Sequence, residues 1–468
     1  TRDYCRAARE PGRLAAGAAT AQASAAHRGG VKLTAHMVPP PEPAVLASAG
    51  ARAGAPLRVL KFGGTSVGDL DRIDKVAARL ARAVAAGEKL VVVVSAMGRT
   101  TDRLLGMARE LSQRPSRREL DVLLATGEQQ SMALTALALQ RRGVRARSLT
   151  GQQAGFLTDS NHGNARVLRV DPRAVRRALE GFDVVVVAGF QGADEAGDLT
   201  TLGRGGSDTT AVALAAALGA PECEIFTDTD GVYTADPHVV ERASKLRRVG
   251  YDEMLELASH GAKVLHPRSV WYARRYGVRI HVRSSFVPVP GTVVAARQPG
   301  EEESMYTDKP VTGVALDTSH ARIDLHAIPD TPGVAGRIFR ALGAAGVSVD
   351  MIIQGVRGAG DSRQQMAFIV AGEVVPEALE ALAPLLAEWG ARAEVDRDVA
   401  KLSIVGVAIA STPGIAAQMF EAVAGVGANI DMITTSEVRA SVLIPSEHAR
   451  AALTAAQPAN GSRRATIM

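Results

Sequence analysis

Short apolar runs alternate with longer amphipathic stretches along the chain from Leu57 onward. The runs have the length of strands buried on both faces of a sheet, and they predict strands at Leu57–Leu60, Leu90–Val94, Val184–Ala188, Glu224–Phe226 and Arg279–Val282. The amphipathic stretches predict helices over Arg72–Ala86, Leu120–Arg141 and Thr209–Leu218. Strands separated by helices favour an α/β fold in which a mostly parallel sheet lies between two layers of helices, an αβα sandwich.

Changes in composition divide the chain into regions. Residues 1–56 are rich in Ala, Arg, Gly and Pro without a sustained period, and they predict a disordered extension. Two alternative interpretations of this extension are a targeting segment and an over-long gene model in which Met37 is the true start. The alternation of runs defines a domain over residues 57–297, and the polar stretch of residues 298–310 predicts a linker.

The last third of the chain contains an internal repeat. Residues 328–352 align without gaps to residues 409–433, and 11 of the 25 aligned pairs are identical. The identities include the Thr-Pro-Gly turns and the Asp-Met-Ile segments, so chance similarity between Ala-rich helices does not explain them. Each copy predicts a strand, a tight turn, a helix and a second strand, a unit too small to bury both of its faces alone. We therefore expect two small α+β domains, residues 311–395 and 396–468, that pack on each other.

The composition argues against several classes of protein. The two cysteines, Cys5 and Cys223, are too far apart in sequence for a disulfide framework or a zinc motif, which fits a cytoplasmic protein. A net charge of +5 is small for 468 residues, and no basic run alternates with aromatic residues, so nucleic-acid binding is not indicated. No apolar run approaches the roughly 20 residues that a membrane-spanning helix needs.

The segment Lys61–Gly68 (KFGGTSVG) lies between a predicted strand and a predicted helix. Gly63 and Gly64 allow a phosphate to approach the backbone closely, and the N–H groups at the helix start supply partial positive charge. Lys61 adds a full positive charge where a transferred phosphoryl group would lie. Because the lysine precedes the glycines, the segment is not a Walker A loop, but it still predicts a phosphate site.

A second glycine-rich segment, Leu202–Thr210 (LGRGGSDTT), opens another predicted helix. Arg204 offers a guanidinium group that suits a carboxylate, and the neighbouring glycines form a second anion-binding turn. Asp208 lies at the helix N-terminus, where a simple capping role is the alternative interpretation.

A third polar segment, Thr227–Pro237 (TDTDGVYTADP), follows a predicted strand and combines acids, hydroxyls and Tyr233. These groups suit recognition of a nucleotide base and ribose, although an ordinary cluster of turn residues has a similar composition. Lys263 lies at the end of a predicted helix, where completing the helix C-terminus is the simplest role. The ten histidines contain no H-x-x-x-H pair. We therefore expect no metal site built by the protein itself, and Mg²⁺ carried by nucleotide phosphates.

Together these segments resemble the aspartate kinase branch of the amino-acid kinase family, from about Leu57 to the mid-440s. The KFGGTSV opening is close to diagnostic, and the later motifs follow in the family's order. The repeat is similar to tandem ACT domains, which are small ferredoxin-like modules that bind amino acids. The resemblance implies the amino-acid kinase fold and ATP-dependent phosphorylation of L-aspartate to 4-phospho-L-aspartate, the first step of lysine, threonine and methionine biosynthesis. In this family the chain after the second repeat returns to complete the first ACT module, so the tail of this chain is a candidate for that role.

The resemblance also implies roles for individual residues. Lys61 would stabilise charge on the transferring phosphoryl group, Gly63 and Gly64 would donate N–H groups to it, and Asp208 would organise the catalytic lysine. The residues implied to bind ATP are Lys61, Phe62, Gly63, Gly64, Ser95, Thr227, Asp228, Tyr233, Thr234, Ala235, Asp236, Pro237, His238 and Lys263. His238 stands where the family usually has arginine. Those implied to hold aspartate are Thr101, Glu128, Arg204, Gly205, Gly206 and Ser207, with Arg204 on the α-carboxylate and Glu128 facing the ammonium group.

Feedback control by lysine, threonine or both is implied by the resemblance of the repeat to ACT modules. The implied effector residues are Asp330, Gly333, Val334, Ala335, Ser348, Val349, Asp350 and Gln354 in the first copy, and Ile415, Ala416, Asn429 and Ile430 in the second. The resemblance further implies an assembly, either of identical chains or with a small regulatory subunit.

Two other functions remain open at this point. Another amino-acid kinase, acting on glutamate, acetylglutamate, carbamate or UMP, would share the fold, but the KFGGTS opening and the ACT pair disfavour it. A non-catalytic amino-acid sensor would keep the ACT pair, but intact Lys61, Arg204 and Asp208 disfavour it.

Overall fold

The computed structural model describes residues 57–262, 264–297, 310–355, 363–407, 409–410 and 412–457, together with the backbone of Ala44–Val45. The predicted extension and linker lie almost entirely outside these residues, as do Lys263 and the end of the chain after Gln457. The described residues belong to one compact unit, Pro43–Met468. Within them, no helix combines the length and the apolar character that crossing a membrane requires.

The first domain alternates strands and helices. Its strands are β1 (Ala44–Val45), β2 (Leu57–Phe62), β3 (Lys89–Val94), β4 (Ala146–Leu149), β5 (Phe156–Thr158), β6 (Val167–Val170), β7 (Val184–Ala188), β8 (Gln191–Ala193), β9 (Leu199–Thr201), β10 (Glu222–Thr227), β11 (Arg248–Gly250), β12 (Arg279–Ser284) and β13 (Thr292–Ala295). Its helices are α1 (Leu70–Ala85), α2 (Thr100–Leu111), α3 (Arg117–Arg141), α4 (Arg173–Gly181), α5 (Gly206–Leu218), α6 (Tyr251–Ser259) and α7 (Pro267–Tyr276).

An eight-stranded sheet, with strand order β11-β13-β12-β10-β2-β3-β7-β4, forms the centre of this domain. Its neighbouring strands are parallel except for β12 and β13. Alternate residues of β3 face opposite helical layers: Val92 and Val94 pack with α1 and α3, whereas Val91 and Val93 pack with α5, α6 and α7. Both faces of the strand are therefore apolar, which explains its continuous run of valines. The predicted αβα sandwich with a mostly parallel sheet is confirmed.

A second sheet, with strand order β1-β6-β5-β8-β9, was not predicted from the sequence. Apart from the two-residue β1, its strands are only three or four residues long, which is too short for a hydrophobic period to be read. This sheet matters for the site because β9 leads directly into the segment Leu202–Gly205.

The C-terminal part contains two modules. Their elements are β14 (Gly313–Asp317), β15 (His320–Pro329), α8 (Val334–Ala344), β16 (Val349–Gln354), β17 (Arg363–Ala371), α9 (Val375–Trp389), β18 (Arg392–Asp396), β19 (Val399–Val405), α10 (Ile415–Gly425), β20 (Met432–Ser436), β21 (Arg439–Pro445) and α11 (Ala449–Ala456). The first module has the sheet β16-β17-β15-β18 and the second has the sheet β14-β19-β21-β20. Met351 and Met432, which occupy equivalent positions in the repeat, share one apolar cluster, so the two copies pack on each other as expected.

The segments before and after the repeat both pack on the second module, whereas the tail was expected to complete the first. β14 precedes the first module in sequence, yet it pairs with β19 of the second module over five residue pairs, Gly313–Asp317 with Lys401–Val405. The tail helix α11 packs on β14 and β19, and its Ala452 and Leu453 are buried in the core of the second module. The described part of the tail therefore completes the second module, because its apolar face is already used there.

Gly261, just after α6, offers a test of how tightly the first domain packs on the second module. Its φ is 118°, and a Cβ atom there would lie 2.1 Å from the backbone oxygen of Leu316 in β14. Gly277, after α7, has a φ of 67° and no neighbouring atom within 4 Å of such a Cβ. We expect Gly277→Ala to cost about 1 kcal/mol through backbone strain alone. Gly261→Ala should cost about 3 kcal/mol because β14 must also shift. Urea unfolding of both variants checks this, and equal losses would contradict the packing.

Candidate active site

A buried ion pair joins the two glycine-rich segments. Lys61 lies near the carboxyl end of β2, and Asp208 lies in the first turn of α5. The Lys61 Nζ and Asp208 Oδ1 atoms are 2.5 Å apart, and the two residues are only 9% and 7% exposed. Helix α5 begins at Gly206, three residues before the predicted start at Thr209, which brings Asp208 into the helix. The pair therefore holds the lysine ammonium group where β2 and α5 meet.

The loop after Lys61 departs in one respect from the implied phosphate contacts. The Gly63 N–H group, implied to donate to a phosphate, donates instead to the backbone oxygen of Phe226 at 3.1 Å. Position 64 requires glycine because the backbone there lies close to Ala96: a Cβ atom at Gly64 would be 2.8 Å from the Ala96 backbone oxygen. The Phe62 side chain is fully buried and stacks on Phe226, with ring centroids 4.8 Å apart. Phe62 could thus contact a ligand only through its backbone.

Glu128 presents a buried carboxylate with one oxygen left open. It lies on α3 and is 4% exposed. Its Oε1 atom accepts a hydrogen bond from the Ala96 N–H group at 3.0 Å, whereas Oε2 has no hydrogen-bond partner among the described residues. Burial raises the pKa of Glu128 to about 7, because the ionised carboxylate loses its hydration. A buried oxygen of this kind suits a ligand that brings its own donor, such as an ammonium group.

Arg204 lies in a turn that only glycine-rich sequence permits. Gly203 and Gly205 on either side have φ values of 75° and 66°, in the left-handed region. A Cβ atom at Gly205 would also lie 2.1 Å from Cβ of His266. The Arg204 side chain is 90% exposed, and its closest acid is Glu373 of the first module at 3.8 Å. The guanidinium group is therefore available to an anion that enters from solvent.

These groups line one cleft of about 310 Å³. Of the residues implied by the sequence, those that line it are Lys61, Gly64, Ser95, Thr101, Glu128, Arg204, Gly205, Gly206, Ser207 and Asp208. Ala96, Gly98 and Phe190, which were given no role from the sequence, also line it, as does Gly203 of the anion-binding turn expected around Arg204. Phe190, with a φ of 69°, follows the carboxyl end of β7 next to β3. The rule that ligands bind at the carboxyl ends of parallel strands could have found it.

A group of three side chains that have the chemistry of metal ligands was also not predicted. Among the described residues, side-chain atoms of His162, Asp194 and Asp198 lie within 4.8 Å of one another. The Asp194 carboxylate already accepts hydrogen bonds from Ser160 and two backbone N–H groups, and Asp198 is paired with Arg118. Since these oxygens are engaged by the protein, the group does not by itself identify a metal.

Sequence models of known families match both parts of the chain. The model of the Amino acid kinase family matches residues 56–284, and two ACT domain models match residues 326–387 and 402–458. An aspartokinase of Thermus thermophilus is 58% identical over 403 residues, which cover 86% of this chain and 98% of that protein. The chain belongs to the aspartokinase family. It is therefore an aspartate kinase, a phosphotransferase whose acceptor is a carboxyl group.

Other relatives agree with this membership. The aspartokinase of Mycolicibacterium smegmatis is 47% identical over 407 residues, covering 86% of this chain and 96% of that protein. The crystal structure of E. coli aspartokinase III in complex with aspartate and ADP matches with a TM-score of 0.70 at 26% identity, covering 86% and 98% of the two chains. The same protein in complex with lysine and aspartate, described as the T-state, matches with a TM-score of 0.62 at 27% identity over the same shares. The sensor alternative is thereby excluded.

In this aspartokinase, the segment that was implied to bind ATP has some residues in hydrogen-bonded turns and one residue in the core of the second module. Thr227, hydrogen-bonded to Asp228, lies at the carboxyl end of β10, and Tyr233 donates to Asp230 at 2.7 Å. Asp236 accepts from the N–H group of His238 at 2.9 Å, which closes the turn around Pro237. Ala235 instead packs in the core of the second module. None of these residues lines the cleft, and Lys263 lies outside the described residues.

The implied effector residues lie on both modules. Val334 and Ile415, at the starts of α8 and α10, are buried in the cores of the first and second module. Asp350 is ion-paired with Lys401 of the second module, at 2.6 Å. The Gln354 side chain donates to Gln364 at 2.6 Å. Of the other members, Val349 lies in β16, and Ala335 and Ala416 lie in the first turns of α8 and α10. The rest lie in connecting segments, at Asp330, Gly333, Ser348, Asn429 and Ile430.

Proposed function

We propose that the cleft binds L-aspartate and the γ-phosphate of ATP, and that the product is 4-phospho-L-aspartate. One observation carries this proposal: a single cleft presents an ammonium group, a buried open carboxylate oxygen and an exposed guanidinium group. Lys61 would complement the phosphoryl group, Glu128 the substrate ammonium group and Arg204 the substrate α-carboxylate. The remaining side-chain carboxylate of aspartate would then point toward Lys61.

The proposed chemistry needs no general base, because the attacking carboxylate is already ionised at neutral pH. A carboxylate oxygen forms a bond to the γ-phosphorus as the bond to the ADP oxygen breaks, and ADP leaves with that electron pair. Lys61 offsets charge on the transferring phosphoryl oxygens, and Asp208 holds the lysine in position. Asp208 is already paired with Lys61, and Glu128 is assigned to the substrate ammonium group, which fits a Mg²⁺ ion held mainly by nucleotide phosphates and water.

We further propose feedback inhibition by lysine, threonine or both through the two modules. The complex of E. coli aspartokinase III with lysine motivates this. Further support comes from a charged junction where three parts of the chain meet. Lys401, only 1% exposed at the side chain, pairs with Asp350, and Arg439 of β21 pairs with Glu256 of α6 at 2.9 Å. Glu256 also contacts His260, at the end of α6 and just before Gly261 and Lys263.

This junction gives a physical route for coupling. A change at β16 reaches β19 through this pair, since the buried Lys401 must follow the partly exposed Asp350 or lose its charge compensation. β19 and β21 belong to one sheet, and β21 holds α6 through Arg439. Coupling energies between sites are typically about 1–3 kcal/mol, which one rearranged ion pair can supply.

The wider context is also proposed from the family. The activity fits an enzyme that catalyses the first step of lysine, threonine and methionine biosynthesis. The presence of only two cysteines, far apart in sequence, fits a cytoplasmic location. Cys223 is buried in β10 and packs as a small core residue. The assembly would consist of identical chains or include a small regulatory subunit.

The deciding experiment is ADP formation by the purified chain with Mg-ATP and L-aspartate, with and without lysine and threonine. We expect aspartate-dependent turnover that falls with at least one added amino acid. Turnover with glutamate, acetylglutamate, carbamate or UMP but not with aspartate would overturn the proposed substrate. Unchanged turnover in the presence of both amino acids would overturn the proposed regulation only.

Lys61→Ala should lower kcat at least 100-fold, because its charge acts mainly on the transition state. Steady-state kinetics with saturating ATP and aspartate measure this. Lys75→Ala, an exposed lysine of α1, is the matched control and should retain full activity. Near-normal turnover of a folded Lys61→Ala variant would remove the lysine from the mechanism.

The raised pKa of Glu128, about 7, predicts a pH-dependent affinity for aspartate. The ionised form that attracts the substrate ammonium is lost as pH falls through that value, so KM for aspartate should rise about tenfold between pH 8 and pH 6. Glu128→Gln should show a high KM without this dependence. Because burial disfavours the ionised carboxylate, the Glu128→Gln variant should be at least as stable to unfolding at pH 8 as the parent protein. A pH dependence that survives in Glu128→Gln would assign it to another group.

Asp350→Ala should raise the half-inhibitory effector concentration at least fivefold, because it leaves Lys401 without its partner. Basal turnover should change little. Asp431→Ala is the control at the equivalent position of the repeat. Asp431 pairs with Arg322, which keeps Asp324 as a second partner at 2.8 Å. Inhibition curves for lysine and threonine measure both variants. Equal effects at the two positions would argue against the junction.

A further inference from the structure

Asp121 on α3 is a completely buried carboxylate that the proposed chemistry does not use. Its Oδ1 atom accepts a hydrogen bond from the Thr201 hydroxyl at 2.5 Å, and its Oδ2 atom accepts one from His162 Nδ1 at 2.8 Å. Both oxygens also lie 3.0 Å from the Gly163 N–H group. Burying a carboxylate is costly unless it is fully hydrogen-bonded, and these donors come from two separate segments. The arrangement therefore joins three parts of the chain at one point.

The first of these segments leads into the turn of Arg204. Thr201 is the last residue of β9, and its backbone oxygen accepts a hydrogen bond from the Ala165 N–H group at 2.8 Å. The next residue, Leu202, accepts from Arg268 Nη1 at 2.9 Å. Fixing Thr201 thus fixes the point from which the Leu202–Gly205 turn starts.

The second segment, residues 160–165, braces the same turn from its other side. Asn164, the residue after Gly163, accepts from Arg268 Nη2 at 2.6 Å through its side chain. That side-chain oxygen would lie 2.9 Å from a Cβ atom at Gly203, so the segment is in close contact with the turn. A shift of the segment away from Asp121 would release this contact.

Helix α3 connects the same point to Glu128. Asp121 and Glu128 are seven residues apart, which is two helical turns, so they lie on the same face of α3. Helix α3 is also held to β8 by the Gln191 side chain, which donates to the backbone oxygen of Ala125 at 3.0 Å. The position of Glu128 relative to Arg204 therefore depends on the hydrogen bonds that Asp121 makes.

We propose that Asp121 is a positioning residue for the substrate amino acid: it sets the separation of Glu128 and Arg204 across the cleft without touching the substrate. This inference rests on the proposed roles of Glu128 and Arg204. Since Asp121 braces the aspartate side of the cleft, its loss should raise KM for aspartate and leave KM for ATP nearly unchanged. A merely structural residue would weaken stability and affect both substrates alike.

Thr201→Val tests this with the smallest change, because it removes one hydroxyl and keeps the shape of the side chain. We expect KM for aspartate to rise about tenfold and KM for ATP to stay within about twofold, as a small misplacement of binding groups affects only the substrate they hold. Thr201→Ser, which keeps the hydroxyl, should restore the parent value. Asp121→Asn should act in the same direction with a larger effect, roughly a hundredfold.

Thr200→Val is the matched control. Thr200 is equally buried in the same strand, and its hydroxyl bonds to that of Thr158 at 2.6 Å instead of to Asp121. It should lose comparable stability without a change in KM for aspartate. Equal effects of Thr201→Val and Thr200→Val, or a parallel rise in both KM values, would overturn the inference.

Glu128→Gln and Arg204→Ala belong in the same series, because they separate two kinds of failure. If neither raises KM for aspartate, the proposed cleft assignment is wrong and the role of Asp121 falls with it. If both raise it while Thr201→Val does not, only the role of Asp121 is overturned.

Discussion

The buried ion pair of Lys61 and Asp208 is the interaction on which the cleft depends. A charge buried alone would cost several kcal/mol, so each residue compensates the charge of the other. The pair therefore fixes the carboxyl end of β2 against the first turn of α5, two elements from distant parts of the sequence. The left-handed Gly203 and Gly205 allow the chain to turn sharply enough to bring Asp208 there. The position of Arg204 between those glycines follows from the same constraint.

The sequence predicted the central sheet well because its strands are buried on both faces, which leaves a run such as Val184–Val187 with no polar position. The sequence also singled out Lys61, Arg204 and Asp208 through the glycines beside them, and the structure brings all three to one cleft. Asp121 was missed for the opposite reason. An acid near the start of a helix looks solvated, and only its partners 41 and 80 residues away show it to be buried.

Two differences between the expectations and the structure have the same origin in contacts between distant segments. The Gly63 N–H group was assigned to a phosphate because nothing local in the KFGG segment shows that the Phe226 oxygen will take it. β14 was assigned to the first module because it directly precedes that module in sequence. Its pairing with β19 depends on the sheet edge that the second copy of the repeat leaves open. Local patterns define elements and glycine turns, but they do not define which edge or acceptor a distant segment will use.

The pairing of β14 with the second module bears on the proposed feedback control. The Thr234 backbone oxygen accepts from the Val314 N–H group of β14 at 2.7 Å, and the Thr234 hydroxyl accepts from Gln457 after α11 at 2.6 Å. The second module thus holds the segment assigned to the nucleotide through partly buried hydrogen bonds. Among the described residues, the first module contacts the proposed aspartate side through Glu373, whose distance to Arg204 is 3.8 Å and whose side chain is exposed. Exposed pairs of this kind contribute little, typically about 0–1 kcal/mol. If an effector binds the first module as proposed, its signal would therefore pass largely through the second, by way of Asp350 and Lys401, before it reaches the catalytic domain.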